Sequence, residues 1–229
     1  MNGPVLTAGS LTWAFNSVKR RGLVRTIKVA LSVIIDLAFD LRYRTDTMRW
    51  VEMNTLAFES KHKGNAVRYT ATKSRPLQRL ISKLNLPKDG VFVDLGAGKG
   101  RVLLLAAQFG FEKVVGVEFS RELCVIAREN VRTFAKKKQI TARIDVVESD
   151  VASFCIQPEH NIFFMYNPFD NVVMVRLLAN IGTSLTQFPR KIYLIYNTPI
   201  HDESVSKSGL FSACQEFEFG GTEFRVYNN

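Results

Sequence analysis

The sequence is poor in the residues that build metal centres and disulfide frameworks. Its 229 residues include three cysteines and three histidines. Cys124, Cys155 and Cys214 are odd in number, widely spaced and set in apolar surroundings, which excludes a disulfide scaffold and reads as reduced core thiols of a cytoplasmic protein. His62, His160 and His201 fall in separate loop-like segments without metal-ligand spacing, so they read as surface residues and no metal is expected. Repeats and low-complexity tracts are missing. The continuous apolar stretch between Ile27 and Arg42 is too short to span a bilayer, and it starts too far from the N-terminus, without a cleavage pattern, to be a usual signal peptide. Acid is scarce: 21 Asp and Glu stand against 31 Lys and Arg, for a net charge of +10 and a pI near 9.7. The excess points to an acidic macromolecular or small-molecule partner. A nucleic acid would be attracted but is not favoured, since no basic-aromatic interleaving or known nucleic-acid module is present.

What is present begins with Val91-Phe92-Val93-Asp94-Leu95-Gly96-Ala97-Gly98-Lys99-Gly100-Arg101. The apolar run predicts a strand buried on both faces, the glycines a tight turn, and the segment Val102 to Phe109 a helix ending at Gly110. Dinucleotide-binding proteins use a glycine turn in the same context. Here, however, Arg101 occupies the third glycine position of that pattern. Asp94 also sits where a pyrophosphate would be repelled. A cationic ligand reverses the sign of that interaction.

Two more strands end in acids. Val114 to Glu118 follows the glycines at the spacing at which a carboxylate can accept ribose hydroxyls. Ser120 then caps a helix through about Lys136, with Glu122 in its first turn. The strand Ala142 to Val147 runs into Glu148-Ser149-Asp150. Three acids thus lie at three successive strand ends.

On these residues, over Leu86 to about Tyr196, the chain resembles the seven-strand, class I S-adenosylmethionine (SAM)-dependent methyltransferases. The resemblance implies an α/β fold: a doubly wound, mostly parallel seven-strand sheet with a C-terminal antiparallel hairpin. It implies SAM as cofactor. Asp94, Gly96, Ala97, Gly98 and Gly100 would lie under its methionine part. Glu118 with Phe119 would hold the ribose, and Asp150 with Val151 would approach the adenine, Glu148 and Ser149 competing for Asp150's role. The strand Asn161 to Tyr166 leads into Asn167-Pro168-Phe169-Asp170, where this family places residues facing the transferred methyl. Tyr166, Asn167, Pro168 and Phe169 are therefore the catalytic candidates. The family's amino-group methylators often carry two prolines here, and this chain has one, which argues against an adenine or cytosine acceptor.

A fifth strand, Lys191 to Tyr196, and a hairpin of Phe211 to Phe219 and Thr222 to Tyr227 about Gly220-Gly221 complete the pattern, with no further C-terminal module expected. These elements assign residues 86–229 to a SAM-binding core. Residues 1–85 are left as a helical extension and lid. Within it, Leu31, Ile34, Ile35, Ala38 and Leu41 recur at helical spacing between Ile27 and Arg42, preceded by Lys19, Arg20, Arg21, Arg25 and Lys28 without an intervening acid. The expectation is a helix packed on the sheet. The alternative is peripheral attachment of residues 19–42 to an anionic membrane surface. A further helix is expected from about Pro76 to Leu84, and Tyr69 and Thr72 before it are expected to contact the methionine end of SAM.

The function expected from these features is methyl transfer to an acceptor, a nitrogen of a protein side chain being the first choice. RNA, DNA or a small molecule is the alternative acceptor. A non-catalytic SAM-binding or RNA-binding subunit is the alternative of another class. Oligomeric state is not encoded in any feature of the chain.

Overall fold

The computed structural model describes Lys19, residues 22–49, 71–166 and 169–229. In chain order these form α1 (Leu23–Tyr43), α2 (Ser74–Lys83), β1 (Val91–Leu95), α3 (Arg101–Gln108), β2 (Lys113–Glu118), α4 (Arg121–Lys138) and β3 (Arg143–Glu148). After a short 3-10 turn (Val151–Ser153) come β4 (His160–Tyr166), α5 (Asn171–Gln187), β5 (Tyr193–Asn197), α6 (Asp202–Ser206), β6 (Ala213–Phe219) and β7 (Thr222–Asn228).

The seven strands form one sheet in the order β3-β2-β1-β4-β5-β7-β6. β1 to β5 are parallel, β7 runs antiparallel to β5, and β6 pairs antiparallel with β7. This is the mostly parallel sheet with a terminal hairpin that the strand pattern implies. Strand order reverses between β1 and β4, which opens a crevice at their carboxyl ends.

The apolar runs follow from burial on both faces. Phe92, Ile162, Phe164 and Ile195 belong to one core, and Val93, Leu95, Phe163, Met165 and Leu194 to the other. α3 is apolar all round, with Val102 to Ala107 buried. It sits so close to β2 that a Cβ on Gly116 would come within 2.7 Å of Leu103 Cδ1 and 2.9 Å of Ala97 Cβ. α5, which the periodicity did not single out, buries Val173, Met174, Leu177, Leu178 and Ile181 between β4 and β5.

Three expectations need correction. Only Cys124 is a core thiol, because Cys155 and Cys214 are exposed; Cys155 points outward between the buried Phe154 and Ile156, and Cys214 lies on an edge strand whose side chains are mostly exposed. His160 is buried rather than on the surface. Its Nδ1 accepts the Gln157 N–H at 3.1 Å, its ring stacks on Phe154, and burial lowers its pKa to about 4. His201 is half-buried and His62 lies outside the described residues.

The third correction concerns α1. It packs on α2 and α4 rather than on the sheet, and it buries Asp36, Phe39 and Tyr43 while Leu31, Ile34, Ala38 and Leu41 face solvent. Phe39 and Tyr43 pack against Phe134 of α4, with ring centroids 6.0 and 4.8 Å away. α2 begins two residues earlier than its proline suggests, at Ser74. Asp36 supplies the missing cap from α1, accepting bonds from both the backbone N–H and the hydroxyl of Ser74.

Candidate active site

The glycine turn between β1 and α3 is held by its own backbone and by β2. Gly96 N and Ala97 N both donate to Val117 O at 2.9 Å, and Gly100 N donates to Ala97 O at 2.8 Å. Gly100 has φ +83 and serves as the N-cap of α3, so a side chain there would be strained; a Cβ would also lie 3.3 Å from Ala127 Cβ.

Glu118 braces this turn. Its Oε2 accepts the Gly98 N–H at 2.8 Å and its Oε1 accepts the Ser120 N–H at 2.9 Å, joining the turn to the start of α4. Burial raises the Glu118 pKa, opposed by these backbone bonds, which favour the carboxylate. Ser120 caps α4 through the Leu123 N–H at 3.3 Å.

Asp94 lies at the same end of the sheet and differs in one respect. It is 2% exposed, yet its carboxylate accepts no hydrogen bond among the described residues. Burial, with the neighbouring Glu118 charge adding to it, pushes its pKa well above the usual carboxylate range. A buried charge without a partner is costly, and an approaching cation removes that cost.

The remaining sequence-derived residues fall around these two. Ser149 N bonds to Glu118 O at 2.9 Å, bringing the end of β3 against the end of β2. Asp150 Oδ1 caps the 3-10 turn through the Ala152 N–H at 2.8 Å. Val151 is buried, Phe119 half-buried and Glu148 exposed. Leu95 pairs with Met165, so Tyr166 lies at the carboxyl end of β4 beside the turn, and Tyr166 pairs in turn with Asn197 of β5. Phe169 and Thr72 are buried. Asn167, Pro168 and Tyr69 lie outside the described residues.

Sequence reading missed a second layer beneath the turn. The side chains of Lys99 and Arg101 are buried despite their charge. Lys99 Nζ is 3.1 Å from Asp46 Oδ2 and donates to Arg49 O at 2.8 Å. Arg101 Nη1 lies 2.8 Å from Asp36 Oδ1 in an ionic contact off the hydrogen-bonding direction, while its Nε donates to Thr47 Oγ1 at 2.8 Å. Asp40 gathers Thr45, Thr47 and Met48 around itself and stands 3.5 Å from Arg101 Nη2. Asn130 of α4 closes the network, accepting the Asp46 N–H and donating to Lys99 O at 2.9 Å. One signal could have revealed it. Asp36, Asp40 and Asp46 are the only acids before residue 50, and all three meet the two cations of the turn.

Known proteins share this fold and parts of this sequence. Residues 49–150 match the family described as Histone methylation protein DOT1. A protein-lysine N-methyltransferase from Saccharolobus islandicus (strain REY15A) is 31% identical over 85 residues, which cover 37% of this chain and 50% of that protein. The chain thus spans about half the length of that relative. Among solved structures, a SAM-dependent methyltransferase from Aquifex aeolicus superposes with a TM-score of 0.51 at 16% identity, covering 66% of this chain and 87% of the other. The ribosomal protein L11 methylase of Lactobacillus delbrueckii subsp. bulgaricus gives 0.50 at 15% identity, with coverages of 66% and 75%. The fold is that of the class I SAM-dependent methyltransferases.

Proposed function

We propose that this chain binds SAM at the glycine turn and transfers its methyl group to a nitrogen acceptor, in the first instance an amine on a protein. The observation that carries the reading is the buried, unbonded carboxylate of Asp94 at the carboxyl end of β1. A pyrophosphate would be repelled there, whereas the ammonium and sulfonium groups of SAM supply the counter-charge. Glu118 fits the ribose, because each oxygen holds one backbone N–H and retains a lone pair for a hydroxyl. Asp150 and Val151 stand at the next strand end, where the adenine would lie. Among the described residues no cluster of His, Cys, Asp and Glu could hold a metal ion.

SAM supplies a methyl already activated by a sulfonium leaving group. The protein's part is to orient the acceptor and exclude water. Tyr166 and Phe169 would wall the acceptor side at the end of β4, and Asn167 and the backbone carbonyls there would accept the N–H bonds of an amine. The layer of Lys99, Arg101 and Asn130 would hold the turn in its binding shape, with residues 45–49 and Thr72 as the covering side. A protein amine is favoured by the match to a protein-lysine N-methyltransferase and by a net positive charge suited to acidic sequence around the target.

Calorimetric titration with SAM tests the cofactor; tighter binding of NADH than of SAM would sink the reading. Transfer of radiolabelled methyl into a cell lysate, followed by protease or nuclease treatment, tests the acceptor. Label should be lost from precipitable material on protease and survive nuclease.

A further inference from the structure

α1 is an amphipathic helix mounted with its aliphatic face outward. Leu23, Ile27, Leu31, Ile34, Leu37 and Leu41 are all exposed, Ile34 at 59% and Leu41 at 81%. At 3.6 residues per turn they fill an arc of about 120°. A surface helix ordinarily turns such a stripe toward the core. Here the opposite face is taken by Asp36, Asp40, Phe39 and Tyr43, because Arg101 and Phe134 provide their partners. The acids that would repel an anionic surface are therefore turned inward, toward Arg101.

Cations gather at the two ends of the stripe. Arg42 and Arg44 are exposed at its C-terminal end, and Lys19 is exposed just before its N-terminal end. In the sequence Arg20, Arg21, Arg25 and Lys28 accompany Lys19 with no acid among them. Lys138 Nζ stands 5.6 Å from the Tyr43 ring, which brings the exposed run Lys136-Lys137-Lys138 of α4 beside Arg42 and Arg44. A second copy docked on this face would bring cationic ends together. An anionic lipid surface offers both the apolar layer and the countercharge.

We infer that α1 is the membrane-docking element of this protein, lying in the plane of an anionic lipid surface with its aliphatic face in the headgroup boundary. No helix among the described residues is long and apolar enough to cross a membrane. Because Asp36 and Asp40 also hold Arg101 at the start of α3, docking fixes the glycine turn relative to the lipid. The inference is independent of the methyl-transfer reading.

The test is co-sedimentation of the full chain with phosphatidylcholine vesicles, with or without phosphatidylglycerol, at low and high salt. Binding should be at least about tenfold stronger to the anionic vesicles and should weaken as salt rises. Ile34→Glu with Leu41→Glu should reduce it to the phosphatidylcholine level, leaving the melting temperature and SAM affinity unchanged. Lys136→Glu, Lys137→Glu and Lys138→Glu together, with the stripe intact, should weaken it severalfold. Equal recovery with and without anionic vesicles would overturn the inference. So would a dimer in light scattering that Ile34→Glu with Leu41→Glu disperses while vesicle binding is absent, since the stripe would then belong to a second copy.

Discussion

Arg101 Nη1 stands 2.8 Å from Asp36 Oδ1, both side chains almost wholly withdrawn from solvent and 65 residues apart in sequence. The pair joins the first turn of α3 to the middle of α1, and Asp36 extends the connection to α2 by capping Ser74. Removing one member of such a pair leaves a buried charge without its counter-ion.

Arg101→Met should therefore cost about 3–5 kcal/mol of unfolding free energy, with Asp36→Asn in the same direction. The double substitution should cost clearly less than the sum of the two, and a double-mutant cycle in urea measures the coupling.

Asp94→Asn should part function from stability. The raised pKa of Asp94 means that its ionised form opposes folding, so the neutral amide should stabilise the ligand-free protein at neutral pH by about 1–2 kcal/mol. SAM affinity should fall by at least about tenfold, or ~1.4 kcal/mol. Unfolding and calorimetric titration on the same preparation report both quantities.

The same carboxylate predicts the sign of the pH dependence. Asp94 is pushed up toward protonation, and a cationic ligand binds its ionised form, so SAM affinity should rise with pH until Asp94 is fully ionised in the free protein. Titrations in buffers of different ionisation heat should show proton release on binding below that point. For the ligand-free protein the sign is opposite. The Asp94 contribution to stability is complete below its unfolded pKa and is lost as pH rises through the raised folded value.

Gly116→Ala should destabilise by about 1–3 kcal/mol, because the new methyl meets Leu103 and Ala97 within 3 Å and α3 must shift. The shift would also disturb the glycine turn, so weakened SAM binding should accompany the lower melting temperature.

Thiol accessibility offers a simple check on the packing. In native protein Cys155 and Cys214 should react with iodoacetamide, Cys155 first, since partial burial raises the Cys214 pKa. Cys124 is buried, its pKa pushed up to about 12 by desolvation and by the Glu118 charge, and should react only after unfolding. Mass spectrometry counts the adducts.

The sheet and the acids at its strand ends were legible in the chain because buried parallel strands require unbroken apolar runs, and the glycine turn requires residues that tolerate positive φ. Val91 to Leu95, Lys113 to Glu118 and Tyr193 to Asn197 all fall within a residue or two of where the pattern puts them. α1 was legible as a helix but not in its orientation. Periodicity reports that Leu31, Ile34 and Leu41 share a face; it carries no information about what that face meets.

Local order in this chain therefore set the elements, the cofactor turn and the acids around it, since propensity and hydrophobic period act over a few residues. The partners of Lys99 and Arg101, the outward aliphatic face of α1 and the burial of His160 arose only when distant segments met. Desolvation and ion pairing depend on which atoms surround a charge after folding, and those atoms come from residues as far apart as Asp36 and Arg101.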